Sequence, residues 1–152
     1  MNANFMRKGL SIDAGLSVKA RKTQIYADQA PRSTSFYPEV KFNPTYTFAK
    51  INTHISLFYK YTGKLPNLLL DSEGGIFESK RDDYHMLDVT AGTYFWKRKI
   101  GLTIGVKNLL NVTSINGLSG SDGAHSSGSS SVQIGMGRTY FCSLTVNLNT
   151  KK

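Results

Sequence analysis

The side chains that most often bind metals or carry catalysis are few in this sequence and poorly arranged for either task. The three histidines, His54, His85 and His125, stand at no metal-ligand spacing from one another or from Cys142, the only cysteine. A single cysteine excludes a disulfide framework and a zinc site built from paired cysteines. We therefore predict no metal centre, and we expect Cys142 to act as a small apolar side chain on the apolar face of a strand.

A serine, an acid and a histidine (Ser119, Asp122 and His125) share one glycine-rich segment, which is the composition of a hydrolase triad. A triad needs its nucleophile on a rigid turn, and residues 117–120 do not match the G-x-S-x-G pattern of a nucleophile elbow. The segment Gly135-Met-Gly137 is too short for a dinucleotide-binding loop. The sequence thus predicts no enzyme, no catalytic residue and no cofactor.

Charged residues gather in two places that suggest binding instead of catalysis. Lys97, Arg98 and Lys99 follow Trp96 directly, and cations beside a tryptophan suit a membrane rim better than nucleic acid. A second group crowds one long connection, where it either keeps the loop in water or forms a vestibule that captures a ligand. This loop group consists of Asp71, Glu73, Glu78, Lys80, Arg81, Asp82 and Asp83. No ligand-binding residue is singled out within it.

Composition sets the limits within which these residues must be positioned. The chain has 152 residues, 39% of them hydrophobic, and a formal charge of +9. This fits one folded domain, excludes a disordered chain, and allows nucleic acid or an anionic surface as a partner. No apolar run approaches the roughly 18 residues of a membrane helix, and residues 1–11 lack the apolar core of a signal peptide.

A period of two dominates the sequence. Even positions from Leu10 to Ala20 are apolar and the odd positions between them are polar or glycine, as in a strand with one apolar face. No segment shows helical periodicity, and Pro44, which cannot donate to a ladder, predicts a bulge. The alternation predicts six strands, longer than is usual in soluble proteins. They cover residues 10–20, 40–48, 51–61, 87–95, 100–107 and 140–148.

Short and long connections alternate along the chain. Residues 49–50 and 97–99 make short turns, whereas 23–36, 63–82 and 113–137 are long and contain the Gly, Pro and Ser clusters. In an antiparallel sheet this order places every short turn at one end and every long loop at the other.

Aromatic residues mark both ends of the predicted strands. Long strands, one apolar face, one-sided loops and two aromatic belts predict an all-β fold, an antiparallel segment of a transmembrane β-barrel. A soluble antiparallel sandwich with one buried face is the alternative. The belts consist of Tyr46, Phe48, Phe95 and Trp96 at the short-turn end, and Phe36, Tyr37, Tyr59, Tyr61, Tyr84 and Tyr140 at the long-loop end.

Three segments resemble the closing strands of TonB-dependent outer-membrane receptors. Lys99–Thr113 (KIGLTIGVKNLLNVT) resembles the penultimate strand, which commonly ends in V-x-N-L-F/L-N/D. Gly137–Leu148 looks like the last strand, which opens with G-R-x-Y/F, and Tyr84–Thr90 resembles the strand before these two. The segment Asn43–Phe48 (NPTYTF) and the Ser/Gly-rich loop are similar to receptors of Bacteroidetes-like bacteria, and the strand pattern extends the resemblance over nearly the whole chain.

The resemblance implies a barrel of about 22 strands that imports scarce nutrients such as siderophore-bound iron, cobalamin or oligosaccharides. It implies location in the bacterial outer membrane, with the long loops extracellular and the short turns periplasmic. The expected partners are outer-membrane lipid, the rest of the barrel and its plug, the small nutrient and, through the plug, the TonB complex, but not nucleic acid.

Six strands are too few to close a membrane barrel, whose smallest examples have about eight. Residues 1–152 are therefore expected to be the C-terminal part of a receptor, with the plug and the signal peptide absent, inactive alone and unstable in water. The family usually finishes on an aromatic residue, whereas this chain finishes Leu148-Asn-Thr-Lys-Lys152. A soluble basic β-sheet module that binds nucleic acid or another anionic partner is the alternative function.

Overall fold

A computed structural model describes residues 1–23, 33–70, 76–116 and 131–147, and these confirm the all-β class. The described residues contain no α-helix, only a 3-10 turn, η1 (Ala49–Ile51). None of their helical segments is long and apolar enough to cross a membrane. The strands are β1 (Asn2–Arg7), β2 (Leu10–Thr23), β3 (Ser33–Phe48), β4 (Thr53–Thr62), β5 (Leu65–Leu70), β6 (Ile76–Arg81), β7 (Tyr84–Phe95), β8 (Ile100–Lys107), β9 (Ser114–Asn116), β10 (Ser131–Gln133) and β11 (Thr139–Val146).

Within these ranges, seven strands form one antiparallel sheet in the order β1-β2-β3-β4-β7-β8-β11, and the sheet does not close into a barrel. All six predicted strands belong to it. The sequence did not predict β1, because residues 2–7 mix polar and apolar side chains without a clear period. A tight turn at Lys8 and Gly9, both with positive φ (43° and 87°), folds β1 back onto β2. Positive φ at both central residues matches the right-handed twist of the two strands.

Cross-strand register gives the sheet two chemically different faces. One row of cross-strand partners runs through six strands on the apolar face. The neighbouring row, one residue away on each of the same six strands, lies on the polar face. Leu16, Ile55 and Val89 lie on the apolar face, as the alternation predicts, and the polar face carries Lys19, Lys41, Lys60 and Lys107. The apolar row is Leu10, Tyr46, Ile55, Ala91, Ile104 and Cys142, and the polar row is Ser11, Thr45, Ser56, Thr90, Gly105 and Phe141.

Burial is reversed relative to a soluble protein. Large side chains on the apolar face are exposed, including Leu16 at 53% and Leu144 at 65%. In the part of the chain that the structure describes, the one buried hydrophobic residue is Ile115, which lies in β9 outside the main sheet. Glu39 and Thr62, both on the polar face, are buried. We infer that the sheet curls around its polar face and leaves its apolar face outside.

The connections are one-sided, as the sequence predicted. Lys8-Gly9, residues 49–52 and residues 96–99 are the short turns at one end, and the strand ends that lead into the long connections lie at the other. Two of the long connections contain further strands: β5 pairs with β6 within 63–83, and β9 pairs with β10 within 108–138. Neither small hairpin was predicted, because both lie in segments whose composition is typical of loops.

The bulge predicted at Pro44 is wrong. Phe42 pairs with Tyr59 and Thr45 pairs with Ser56, so both strands advance by the same number of residues across the proline. The ladder with β4 skips Asn43 and Pro44, while Pro44 keeps its partner Ile12 on β2. The missing N–H therefore costs ladder pairing on one side of the strand without inserting a residue.

The two aromatic belts lie at the predicted ends, with one correction. Tyr46 packs edge-on against Phe48 at 4.6 Å between ring centroids. At the other end, Phe36 and Tyr140 are exposed on the apolar face. Tyr37 and Tyr84 are also at that end, but the register places them on the polar face, opposite Lys19 and Thr62. Strand parity determines the face of each residue in β3 and β7. The predicted strands, 40–48 and 87–95, did not include Tyr37 and Tyr84, so the alternation assigned these two residues no face.

Candidate functional site

Four charged side chains converge on the polar face near the long-loop end; we call Lys19, Glu39, Lys41 and Lys60 the lysine cluster. The Glu39 side chain is only 3% exposed, and its Oε2 atom is 2.8 Å from the Nζ atom of Lys19. Lys60 is 3.0 Å from the same oxygen, and Lys41 is 3.4 Å from Oε1. Strands β2, β3 and β4 each contribute to this group.

Strand geometry explains the convergence. Glu39 and Lys41 are two residues apart on β3 and therefore share a face, and Lys60 pairs directly with Lys41 across the ladder. A buried carboxylate is costly unless it is paired and hydrogen-bonded, and three ammonium groups satisfy Glu39 here. Three cations against one anion leave the cluster with two unbalanced positive charges. Chemically, the cluster can bind an anion.

Polar atoms without partners lie beside the lysine cluster. Thr62, the cross-strand partner of Glu39, is buried, and its Oγ1 makes no hydrogen bond. The buried Oδ1 of Asn43 also lacks a partner. Asn43 and Lys41 line a cavity of about 350 Å³ whose other lining residues are Asn2, Ala3, Asn4, Asp13, Ala14 and Gly15.

A larger cavity, of about 710 Å³, opens on the polar face at the short-turn end. The rings of His54 and Tyr94 stack at 6.4 Å, and the Arg98 guanidinium lies 5.9 Å from the centre of the Tyr94 ring. Lys97 and Arg98 line this cavity. They are two of the three turn cations that the sequence predicts at a membrane rim. Its walls consist of Thr45, Thr47, Ala49, Asn52, Thr53, His54, Tyr94, Lys97 and Arg98.

Glycines make room for the rings on the polar face. Gly105 pairs with Phe141, and a Cβ atom on Gly105 would lie 2.6 Å from that ring and 2.8 Å from the Val89 carbonyl oxygen. Gly101 pairs with Tyr94 and leaves room for the Tyr94 ring in the same way. The glycine-alternating run of β8 thus supplies flat backbone on which aromatic side chains of neighbouring strands lie.

The three segments that resemble receptor strands meet in one junction at the long-loop end. The backbone N–H of Asn108 donates to Oδ1 of Asp88 at 2.8 Å. The side-chain amide of Asn108 donates to the carbonyl oxygens of Val112 and Met136, both at 3.0 Å, and its oxygen accepts from the Val112 N–H at 2.9 Å.

Arg138 fastens the last strand to the same junction. Its Nε and Nη2 atoms donate to the Leu109 carbonyl oxygen at 3.0 and 2.7 Å, and its backbone N–H donates to Oδ1 of Asn111 at 2.9 Å. The polar residues of the V-x-N-L-L-N and G-R segments therefore extend the contact between β8 and β11 beyond the end of their backbone ladder.

Of the seven loop residues proposed to keep the loop in water or to form a ligand vestibule, the structure describes the side chains of four, Lys80, Arg81, Asp82 and Asp83. Asp82 lies 3.7 Å from the exposed Lys64. Lys80 is exposed, Arg81 and Asp83 are half-buried, and the side chain of Glu78 lies outside the described part of the chain, as do Asp71 and Glu73.

The remaining sequence candidates are dispersed. Tyr59 Oη is 2.7 Å from Nδ1 of His85 on the apolar face, and Cys142 is exposed on that face as predicted. Ser119, Asp122 and His125 lie outside the described ranges. No group of three or more potential metal ligands occurs in the described ranges.

Sequence reasoning missed the lysine cluster. Alternation marks Lys19, Lys41 and Lys60 only as polar positions of three separate strands, and Glu39 lies just before the second predicted strand. The parity of each strand is the one sequence signal that places all four side chains on the same face. Parity alone does not bring them together, because their contact also depends on the register between the strands.

No protein-family model, curated protein or solved structure matches this chain.

Proposed function

We propose that the chain forms the C-terminal part of the barrel wall of a TonB-dependent outer-membrane transporter. The observation that carries the proposal is the reversed burial of the sheet, with large apolar side chains exposed on one face and polar groups sheltered on the other. Lipid-facing and lumen-facing residues alternate in this way in membrane barrels. The resemblance of β7, β8 and β11 to receptor strands supports the same assignment.

In this proposal each part of the sheet has a defined surrounding. The apolar face contacts lipid, the polar face lines the lumen, the short turns are periplasmic and the long loops are extracellular. The free sides of β1 and β11 pair with other strands of the barrel, because unpaired backbone groups in lipid cost several kcal/mol each. The wall guides a small nutrient and performs no catalysis, and siderophore-bound iron, cobalamin and oligosaccharides remain the candidate cargoes.

Fractionation of cells that make the natural protein tests the proposal. We expect the chain in the outer-membrane fraction, resistant to extraction by urea or carbonate and released by detergent. Recovery as a folded protein in the soluble fraction would contradict the proposal. That outcome would favour the alternative, a soluble basic sheet that binds an anionic partner such as nucleic acid.

A further inference from the structure

We propose that the lysine cluster is a binding site for a dianionic oxyanion group of the phosphate class. Its place in transport rests on the proposed function, in which it would select solutes that carry such a group. The binding itself depends only on the polar face, whatever covers the apolar face.

Charge is the first support for this site. Lys19, Lys41 and Lys60 all lie within 3.4 Å of Glu39, and one carboxylate balances only one of the three positive charges. Each ammonium group has three N–H donors, of which the contact with Glu39 uses one. Donors and two units of charge therefore remain for a dianion.

Register is the second support. Lys41 and Lys60 are direct cross-strand partners. Like charges placed opposite each other destabilise a sheet, so the pair is an arrangement that stability alone does not favour. A single lysine would satisfy the requirement of Glu39 for a counter-charge. We infer that Glu39 holds three ammonium groups together so that an incoming anion meets them already assembled.

Unsatisfied polar groups and space are the third support. The hydroxyl of Thr62 has no partner although the residue is only 7% exposed, and it lies beside Glu39 in the register. The cavity of about 350 Å³ borders Lys41 and offers room for a phosphate group and part of a solute. Asp13 also lines this cavity and keeps its negative charge while its carboxylate accepts a hydrogen bond from the Asn4 amide, so the phosphate group would bind on the Lys41 side of the cavity.

Isothermal titration with inorganic phosphate tests the site. The full chain is used, refolded in detergent micelles or in plain buffer if it is soluble there, with its strand content checked by circular dichroism. We expect phosphate to bind the unmodified chain at least about tenfold more tightly than chloride or acetate, and Lys41→Gln to weaken it about tenfold, as expected for one lost charge contact. Lys107→Gln is the matched control, because Lys107 lies on the same face over the ring of Phe141 and outside the lysine cluster. We expect it to change phosphate affinity less than about twofold.

A second variant gives a result of opposite sign. Glu39→Gln removes the competing negative charge, while the amide oxygen can still accept hydrogen bonds from the lysines and keep them together, so a folded variant should bind phosphate more tightly than the unmodified chain. If that variant fails to fold, the comparison of Lys41→Gln with Lys107→Gln still decides. Equal affinities for phosphate and chloride, or equal losses in those two lysine variants, would overturn the site.

Two further measurements distinguish a lipid headgroup from free phosphate as the ligand, and the binding site from the transporter proposal. In the first, vesicles that contain phosphatidic acid replace free phosphate. We expect free phosphate to bind and the lipid headgroup not to bind, because the lysine cluster lies on the sheltered face. Phosphate binding by a chain found in the soluble fraction would support the site and contradict the transporter. A chain that inserts into membranes without preferring phosphate would contradict the site alone.

Discussion

At the scale of single residues, Asn108, directly after β8, combines burial, a positive φ and several hydrogen bonds. It is buried, has a φ of 52°, and its side chain makes three hydrogen bonds to backbone groups of two segments. Asparagine tolerates the left-handed region better than most residues, and its amide both donates and accepts. This explains in physical terms why an asparagine stands where β8 ends and the long connection begins.

Replacing Asn108 tests the importance of the junction. We expect Asn108→Ala to lower the free energy of unfolding by about 2–4 kcal/mol, because it leaves buried backbone groups unpaired at an unfavourable φ. The measurement is urea denaturation in detergent micelles followed by circular dichroism. Asn111→Ala is the matched comparison, since Asn111 belongs to the same junction and also has a positive φ (57°), but it is exposed and its side chain accepts one backbone hydrogen bond. Equal losses in the two variants would show that the burial and the three side-chain hydrogen bonds of Asn108 are not what stabilises the junction.

A second prediction at this scale concerns the glycines under the rings. We expect Gly105→Ala to destabilise the sheet by about 1–3 kcal/mol, because its Cβ atom meets both the Phe141 ring and a backbone oxygen. Gly135→Ala is the matched control, since nothing lies within 4 Å of the Cβ atom it would add. The same urea titration measures both. A loss as large at Gly135 as at Gly105 would contradict the steric explanation.

At the scale of elements, the two four-residue turns at the short-turn end differ in backbone strain. Trp96, Lys97 and Arg98 all have positive φ values, of 56°, 54° and 66°, and this backbone conformation is unfavourable for residues other than glycine. The other turn, residues 49–52, contains η1 and enters the left-handed region only at Asn52. The strained turn is the one that brings Lys97 and Arg98 to the larger cavity.

Glycine substitutions in these two turns should have opposite effects. We expect Lys97→Gly to stabilise the protein by about 1 kcal/mol, because glycine adopts positive φ freely. Lys50→Gly should destabilise it by about 0.5–1 kcal/mol, because glycine there only adds freedom to the unfolded chain. Thermal unfolding in micelles compares the two variants. Destabilisation by both would show that the left-handed turn is not strained.

The elements also show how far the sequence could predict this molecule. Alternation found the six long strands, their faces and the side on which the loops lie, because a period of two is a local property of a strand. It could not find β1, whose pairing depends on the Lys8-Gly9 turn, or the lysine cluster, which depends on the register of three strands. A one-residue change of register would move Lys60 to the other face, and no single strand contains that information.

At the scale of the whole molecule, the apolar face determines the behaviour in solution. Its exposed large side chains extend across the sheet from Leu16 on β2 to Val146 on β11, whereas soluble monomers rarely expose apolar patches of more than a few hundred Å². We expect aggregation into inclusion bodies when the chain is expressed without detergent, as measured by sedimentation and gel filtration. A sharp monomeric peak in plain buffer with a cooperative melt would contradict the membrane assignment.

Adjacent positions on β8 distinguish the two faces directly. Leu102 lies on the apolar face and Thr103 on the polar face. We expect Leu102→Arg to reduce stability in lipid vesicles by about 2–4 kcal/mol, as for an arginine facing the middle of a bilayer. Thr103→Arg, the control, should cost much less because in the proposed barrel its charge would face the lumen. Equal costs would indicate that both faces meet the same surroundings.

The one-sided arrangement of the connections also determines the order in which the sheet can assemble. The pairs β1–β2, β3–β4 and β7–β8 are each joined by a short turn, and such hairpins form within about 1–10 μs. The pairs β2–β3, β4–β7 and β8–β11 must close longer segments, and the entropy cost of closure grows with length. Assembly is therefore expected to start from three preformed hairpins that dock side by side, with β11 joining last. Amide exchange should accordingly show the earliest protection within the three hairpins and the latest protection along β11.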